Sequence, residues 1–258
     1  MRLRVCLDNS TGTRLPINYQ ELLTAAVYVL LAASDADYAR FLHDDGYADE
    51  DGRRFKLFTF SWLRGTRRTV DGDMLRFAPG PLEWLVASPV EPFLTNLAMG
   101  LLSAGALRVG SATIPITQIE TLPAPVLAET TAFTCLSPII AALPLPEGRT
   151  RYLRPSDGDD FSEAVRRNLL RKHRLVHGDL PADDRFALAF DTGYLARTGG
   201  GTKLMTFKGI HLVGAFCPFT ASGSVDLMRV GYETGFGEKN AAGFGMVEEQ
   251  HQPMRGMQ

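Results

Sequence analysis

Apolar and polar positions change rhythm repeatedly along this 258-residue chain, and the changes mark out its elements. RLRVCLDN (2–9) alternates with the two-residue period of a half-buried strand. LLTAAVYVLLAA (22–33) is then the longest apolar run, and Asn18 with Glu21 has the spacing of a capped start, so a helix is expected over 19–33. A second short helix is expected over 35–43, ending near Gly46, followed by a strand in KLFTFSWL (56–63). VDGDML (70–75) carries a turn, and LEWLVAS (82–88) is a strand. EPFLTNLAMGLLSAG (91–105) is a helix closed by Gly105, and ALRVGSATIPITQIETL supplies the last strands of this half. With one extra early helix, the order is strand, helix, strand, strand, helix, strand, the ferredoxin-like arrangement.

Pro123 and Pro125 in TLPAPVLAE (121–129) mark a boundary. Beyond it the pattern predicts a strand near 126–135, a short strand in TRYLR, and a helix over 159–178 with Phe161, Val165, Leu169 and Val176 on its apolar face. Two strands, about 185–196 and 203–217, are expected to pair as a hairpin across RTGGG. A short helical stretch and a closing strand in FGMVEE complete the same order of elements. The expected fold class is therefore α+β: tandem ferredoxin-like (RRM-like) βαββαβ domains over 1–122 and 123–258, without a sequence repeat between them.

Composition narrows the function classes. With 45% hydrophobic and 22% charged residues the chain suits an ordinary globular core. A net charge of −2 argues against a generic nucleic-acid binder, although basic residues can still be gathered on one face. Cys6, Cys135 and Cys217 are far apart and fit no zinc spacing. The longest apolar run is too short to span a bilayer, and MRLRVCLDNS has no apolar signal region, so a cytoplasmic protein with no membrane partner is expected.

Two stretches carry candidate chemistry. GYETGFGEKNAAGFG (231–245) holds five glycines but no GxxxxGK[ST] phosphate loop, and the third glycine of a dinucleotide fingerprint is replaced by Asn240. Two readings stay open: a loop that offers its backbone to a ligand beside Lys239, or a tight loop that packs the last strand. LHDDGYADEDGRRFKLFTFS (42–61) places His43 at a helix end and Lys56 at a strand start, with Tyr28 on the preceding helix. Its acidic run fails as a calcium loop, since Tyr47 and Phe58 would fall on ligand positions, and is expected to be a solvated loop. His173 and His177 have helical metal spacing, but Arg171, Lys172 and Arg174 around them would repel a cation. That face is expected to be solvated or phosphate-contacting, and neither a metal nor a cofactor is expected. On residue types alone, His43, Tyr28 and Lys56 suit structural roles as well as catalytic ones.

GYETGFGEKNAAGFGMVE closely resembles the C-terminal glycine-rich loop of the Cas-six family, the CRISPR-associated endoribonucleases that cut repeat RNA. LHDDGY…FKLFTFS resembles the same family's N-terminal helix-to-strand segment, with a longer loop between His43 and Lys56 than in compact members. The resemblance implies tandem ferredoxin-like domains and metal-independent cleavage of precursor CRISPR RNA within the repeat. The 2′-hydroxyl would attack the adjacent phosphate, leaving 2′,3′-cyclic phosphate and 5′-hydroxyl ends. It implies a catalytic set of His43, Tyr28 and Lys56. Histidine can do either proton job near neutrality, lysine can stabilise the phosphorane charge, and tyrosine can orient or exchange a proton. It also implies RNA binding by Gly231, Gly235, Gly237, Lys239, Asn240, Gly243 and Gly245. Arg53 and Arg54 are candidate phosphate contacts, as are the trio Arg64, Arg67 and Arg68 and the helical set Arg166, Arg167, Arg171 and Arg174. The implied partners are CRISPR repeat RNA, subunits of a CRISPR effector complex and a second copy of the chain. The rival is a catalytically inactive RNA-binding subunit of a CRISPR ribonucleoprotein complex; the presence of His43 favours the enzyme.

Overall fold

Alternation in RLRVCL buries Leu3, Val5 and Leu7 and seats the first strand in the middle of a sheet. A computed structural model describes residues 1–250. In the first half, β1 (Arg2–Leu7) and β2 (Thr13–Pro16) precede α1 (Gln20–Ser34) and α2 (Ala36–Asp44). Four two-residue strands follow: β3 (Tyr47–Ala48), β4 (Arg54–Phe55), β5 (Thr59–Phe60) and β6 (Arg64–Gly65). The hairpin of β7 (Arg68–Asp71) and β8 (Met74–Phe77) leads into β9 (Leu82–Ala87), α3 (Glu91–Ala104), β10 (Ala106–Val109) and β11 (Ala112–Leu122). The main sheet runs β10–β11–β1–β9–β5, with β6 also on β9, and every pair is antiparallel. Leu23, Val27 and Leu31 of α1 and Phe93, Leu97 and Leu101 of α3 form one core with Val5, Phe60, Trp84 and Val86 of the sheet.

The second half repeats the plan. It comprises β12 (Thr130–Cys135), the hairpin β13 (Ala142–Pro144)–β14 (Thr150–Tyr152), α4 (Gly158–His177), β15 (Phe186–Phe190), α5 (Thr192–Thr198), β16 (Thr202–Phe207), β17 (Ile210–Ala215), β18 (Phe219–Gly223), α6 (Val225–Thr234) and β19 (Val247–Glu249). Its sheet runs β15–β18–β12–β19, again antiparallel throughout. In both sheets the first and third strands of the βαββαβ unit lie in the middle, which is the ferredoxin-like order expected. Leu85 and Ala87 of the first half pack with Leu136 and Met246 of the second, and the Thr59 hydroxyl donates to the Phe244 carbonyl at 2.9 Å. No helix among the described residues is long and apolar enough to cross a membrane.

Four local expectations differ from the structure. The expected strand over 56–63 is broken, because buried Leu57 adopts φ +54° and its carbonyl accepts from the Ser88 hydroxyl instead of continuing a ladder. Asn18 and Glu21 do not cap α1, whose N-cap is Tyr19. Their side chains accept from the amides of Thr206 and Lys208, tying α1 to the second half. RTGGG does not turn a hairpin; it ends α5, which Asp191 caps by accepting from the Tyr194 amide. The hairpin is β16–β17, turned at Lys208 and Gly209 with φ +48° and +74°. On α4, Phe161, Val165 and Leu169 are buried as expected, but Val176 is only partly covered and the next inward position is Lys172.

Candidate active site

α2 is short and amphipathic. Asp35 caps it by accepting from the Tyr38 amide, and its inner face buries Ala39 and Leu42. That phase leaves His43 on the outer face of the last turn, with 65% of its side chain exposed. Tyr28, on α1, meets the His43 ring edge-on at 5.2 Å. The Lys56 ammonium donates to the His43 carbonyl at 2.7 Å and so satisfies one of the free carbonyls at the end of α2. The structure thus brings together three residues that lie 15 and 13 positions apart. They border a cleft of about 530 Å³. Arg53 and Arg54 stand on the same wall, and Glu238, Lys239 and Asn240 on the facing one.

The His43 Nδ1 lies 2.7 Å from Asp44 Oδ1. That contact holds the Asp44 carboxyl below its usual range, so the carboxylate accepts and Nδ1–H donates. Nε2 is then the nitrogen left for a ligand. Burial pushes the Tyr28 phenol up to about 12, so it is a neutral hydroxyl near pH 7. Burial, then Arg54, lowers the Lys56 ammonium, while Asp44 and Asp45 act against that. Arg54 donates to the Asp44 carbonyl and pairs with Asp45 at 3.3 Å. Exposed Arg53 has no ion-pair partner among the described residues, nor does exposed Lys239.

The glycine run is folded inward. Gly231, Gly235, Gly237, Gly243 and Gly245 are all buried. A Cβ on Gly237 would lie 2.2 Å from the Ile140 carbonyl oxygen, and one on Gly245 would lie 2.1 Å from that of Phe236. These glycines therefore serve close packing, and the run borders the cleft through Thr234 and the stretch 238–242. Asn240 is the internal hub: its amide nitrogen donates to the Phe236 and Phe244 carbonyls. Its oxygen accepts from Lys172 at 2.6 Å.

Lys172 is the residue that sequence reasoning missed. It is 2% exposed, and its ammonium also donates to the Gly235 and Gly237 carbonyls at 2.7 and 2.9 Å. Burial pushes it down to about 7, with Glu238 acting in the other direction. The available signal was its spacing, three after Leu169 and seven after Val165, on the apolar stripe of α4.

The remaining basic candidates divide. Arg166 is engaged by Asp184 and Glu163, and Arg167 by Glu163. Arg171 is engaged by Asp49 and Asp51, and Arg174 by Glu50. The arginines of α4 are thus bound to carboxylates, and the acidic run 49–51, in which Glu50 and Asp51 are solvated as expected and the Asp49 side chain is buried, is also a contact between the two halves. His173 is not solvated either, being buried with Nδ1 2.7 Å from the Asp179 carbonyl. Arg64 pairs with Glu248 at 3.3 Å, and Arg68 lies over the Trp62 ring. Among the described residues no group of three His, Cys, Asp or Glu side chains could hold a metal ion.

Two ferredoxin-like domains in tandem, sharing a cleft with exposed cations on both walls, define a double-RRM-like protein. Within that class the chain belongs to the Cas6 family. Residues 14–120 match the model for CRISPR-associated protein Cas6, N-terminal, and residues 122–249 match that for CRISPR associated protein Cas6, C-terminal. The CRISPR-associated endoribonuclease Cas6 1 of Methanocaldococcus jannaschii is 29% identical over 250 residues, covering 96% of this chain and 92% of that protein. The CRISPR-associated endoribonuclease Cas6 of Pyrococcus furiosus is 27% identical over 242 residues, covering 93% and 86%. The solved structure described as the characterization of a Cas6-related gene from Pyrococcus furiosus superposes with a TM-score of 0.82 at 22% identity, covering 98% of this chain and 99% of that one.

Proposed function

We propose that this chain is an endoribonuclease that cuts precursor CRISPR RNA within the repeat, without a metal ion. The observation that carries the reading is His43, exposed on a cleft, edge-on to Tyr28 and with its own carbonyl held by Lys56. Cleavage would proceed by 2′-hydroxyl attack on the adjacent phosphate, with 2′,3′-cyclic phosphate and 5′-hydroxyl ends. His43 moves the proton through Nε2, and Lys56 supplies positive charge beside the phosphorane. Tyr28, with its phenol at about 12, acts as a hydrogen-bond donor and not as a base. Residues 1–122 form the domain that carries this chemistry, and the domain over 123–258, of which 251–258 lie outside the described residues, carries the loop. Arg53, Arg54 and Lys239 contact the RNA backbone together with the main-chain amides at Asn240 and beside it. The five glycines serve binding by shaping that loop.

The first test is repeat RNA incubated with the protein in EDTA, with product ends analysed. One cut ending in a cyclic phosphate is expected. Cleavage that stops in EDTA and returns with magnesium would sink the metal-independent mechanism. Tight binding without any cut would favour the RNA-binding subunit instead.

Tyr28→Phe tests the division of labour. Loss of one hydrogen bond should slow single-turnover cleavage by about tenfold. The rate profile between pH 6 and 9 should keep its shape, because a phenol at about 12 does not titrate there. A loss beyond a hundredfold, with a changed alkaline limb, would make Tyr28 a proton-transfer group.

A further inference from the structure

We propose that Arg171 is a positioning residue for RNA cleavage, holding the β3–β4 hairpin against α4 so that Arg53, Arg54 and Lys56 keep their places on the cleft. The inference rests on the function proposed above. The hairpin has two residues per strand and pairs with no other strand, and a ribbon that small is marginal alone. Asp49 is its staple. One carboxylate oxygen accepts from the amides of Asp51 and Arg53 at 3.0 and 2.8 Å, and the other accepts from the Arg171 guanidinium at 2.7 Å. The Asp49 side chain is 7% exposed, so this contact is largely shielded from water. Burial works to raise its carboxyl, but the Arg53 amide and then Arg171 overcome this and hold it below its usual range. The same guanidinium nitrogen lies 2.8 Å from Asp51, and Arg174 reaches Glu50 one turn on.

The return strand passes this anchorage to the site. Arg54 donates to the Asp44 carbonyl and Lys56 to that of His43. Arg171 is therefore linked to His43 through a chain of contacts that begins 122 residues away in sequence, at Asp49. Its neighbour Lys172 reaches the opposite wall, at Gly235, Gly237 and Asn240. One turn of α4 thus ties both walls of the cleft. An RNA phosphate at Arg171 would have to displace two carboxylates, which sets it apart from Arg53 and Lys239.

The test compares Arg171→Met, Asp49→Asn and the double variant in the full chain. Asparagine keeps an oxygen for the two amides but loses the charge. The readouts are single-turnover rate at saturating protein, Kd for repeat RNA, and hydrogen exchange at the amides of Asp51 and Arg53. Misplaced groups should slow cleavage by about 10- to 100-fold in each single variant, and Kd should weaken to the same extent in both, because Arg53 and Arg54 shift with the hairpin. The double variant should be no slower than Arg171→Met, which already removes the contacts with both Asp49 and Asp51. Both amides should exchange faster, and Arg171→Lys should recover part of the rate. Weaker RNA binding in Arg171→Met, with a wild-type rate in Asp49→Asn, would make Arg171 a phosphate contact and overturn the proposal. Unchanged exchange in both singles would overturn it too. A wild type that cuts no repeat RNA would sink the function reading and the cleavage role of Arg171 with it. The exchange data would still tell whether Arg171 holds the hairpin.

Discussion

His43→Ala is expected to slow single-turnover cleavage of repeat RNA by about 10²- to 10⁴-fold, the usual worth of a general acid or base. RNA affinity and thermal stability should stay close to wild type. The two expectations separate because of where the ring sits. It is 65% exposed, and its hydrogen-bond partner Asp44 is exposed as well, so the pair adds little to folding. Its contact with Tyr28 is a single edge-on ring pair, worth about 0.5–1.5 kcal/mol. Lys56 bonds the His43 carbonyl, not the imidazole, so alanine leaves that contact in place. The cations of the cleft are also untouched, which preserves the electrostatic part of binding. A near wild-type rate would return His43 to a structural role. A loss of affinity as large as the loss of rate would show that the ring binds RNA rather than moving a proton.

How much of this could be read from the chain depends on how local each cause is. The alternation of β1 and the stop of α3 at Gly105, φ +63°, are decided by near neighbours and were legible. So was the order of elements that makes two ferredoxin-like sheets. Asn18 and Glu21 looked like a cap because the local rule cannot see acceptors used by Thr206 and Lys208, nearly two hundred residues away. RTGGG looked like a hairpin turn because glycine serves a helix stop equally well; Asp191, which caps α5, was the contrary signal. Among the site residues, the set of Tyr28, His43 and Lys56 came from the family resemblance and not from their elements; the structure brings the three together at one cleft. The basic segment Arg171–Arg174 could not be sorted by residue type. Helical phase alone turns Lys172 inward, and only the fold brings Asp49, Glu50 and Asp51 to its neighbours.

Lys172→Met is expected to destabilise the protein by about 2–4 kcal/mol, measured by urea unfolding, and to loosen the glycine-rich loop. Methionine matches the length of the side chain and fills the same space, so the loss reports the ammonium and not a cavity. Three acceptors lose their donor at once: the Gly235 and Gly237 carbonyls and the Asn240 side chain. None of them has water within easy reach, since all three residues are buried. Releasing the cost of a buried charge offsets part of this, which keeps the figure below the sum of three orphaned groups. Amides of residues 235–245 should exchange faster in the variant, and RNA should bind more weakly because Lys239 sits on that loop. The pH dependence follows from burial. The folded ammonium titrates at about 7, whereas a lysine in the unfolded chain titrates near 10.4. Between those values the unfolded chain holds more protons, so this group's contribution to stability rises with pH. It is lost as pH falls through about 7. The gap between wild type and Lys172→Met should therefore widen from pH 7 towards pH 10. A gap that stays flat would mean that the three acceptors hold the third proton against burial. A variant as stable as wild type, with an unchanged loop, would show that Lys172 does not hold the wall of the cleft.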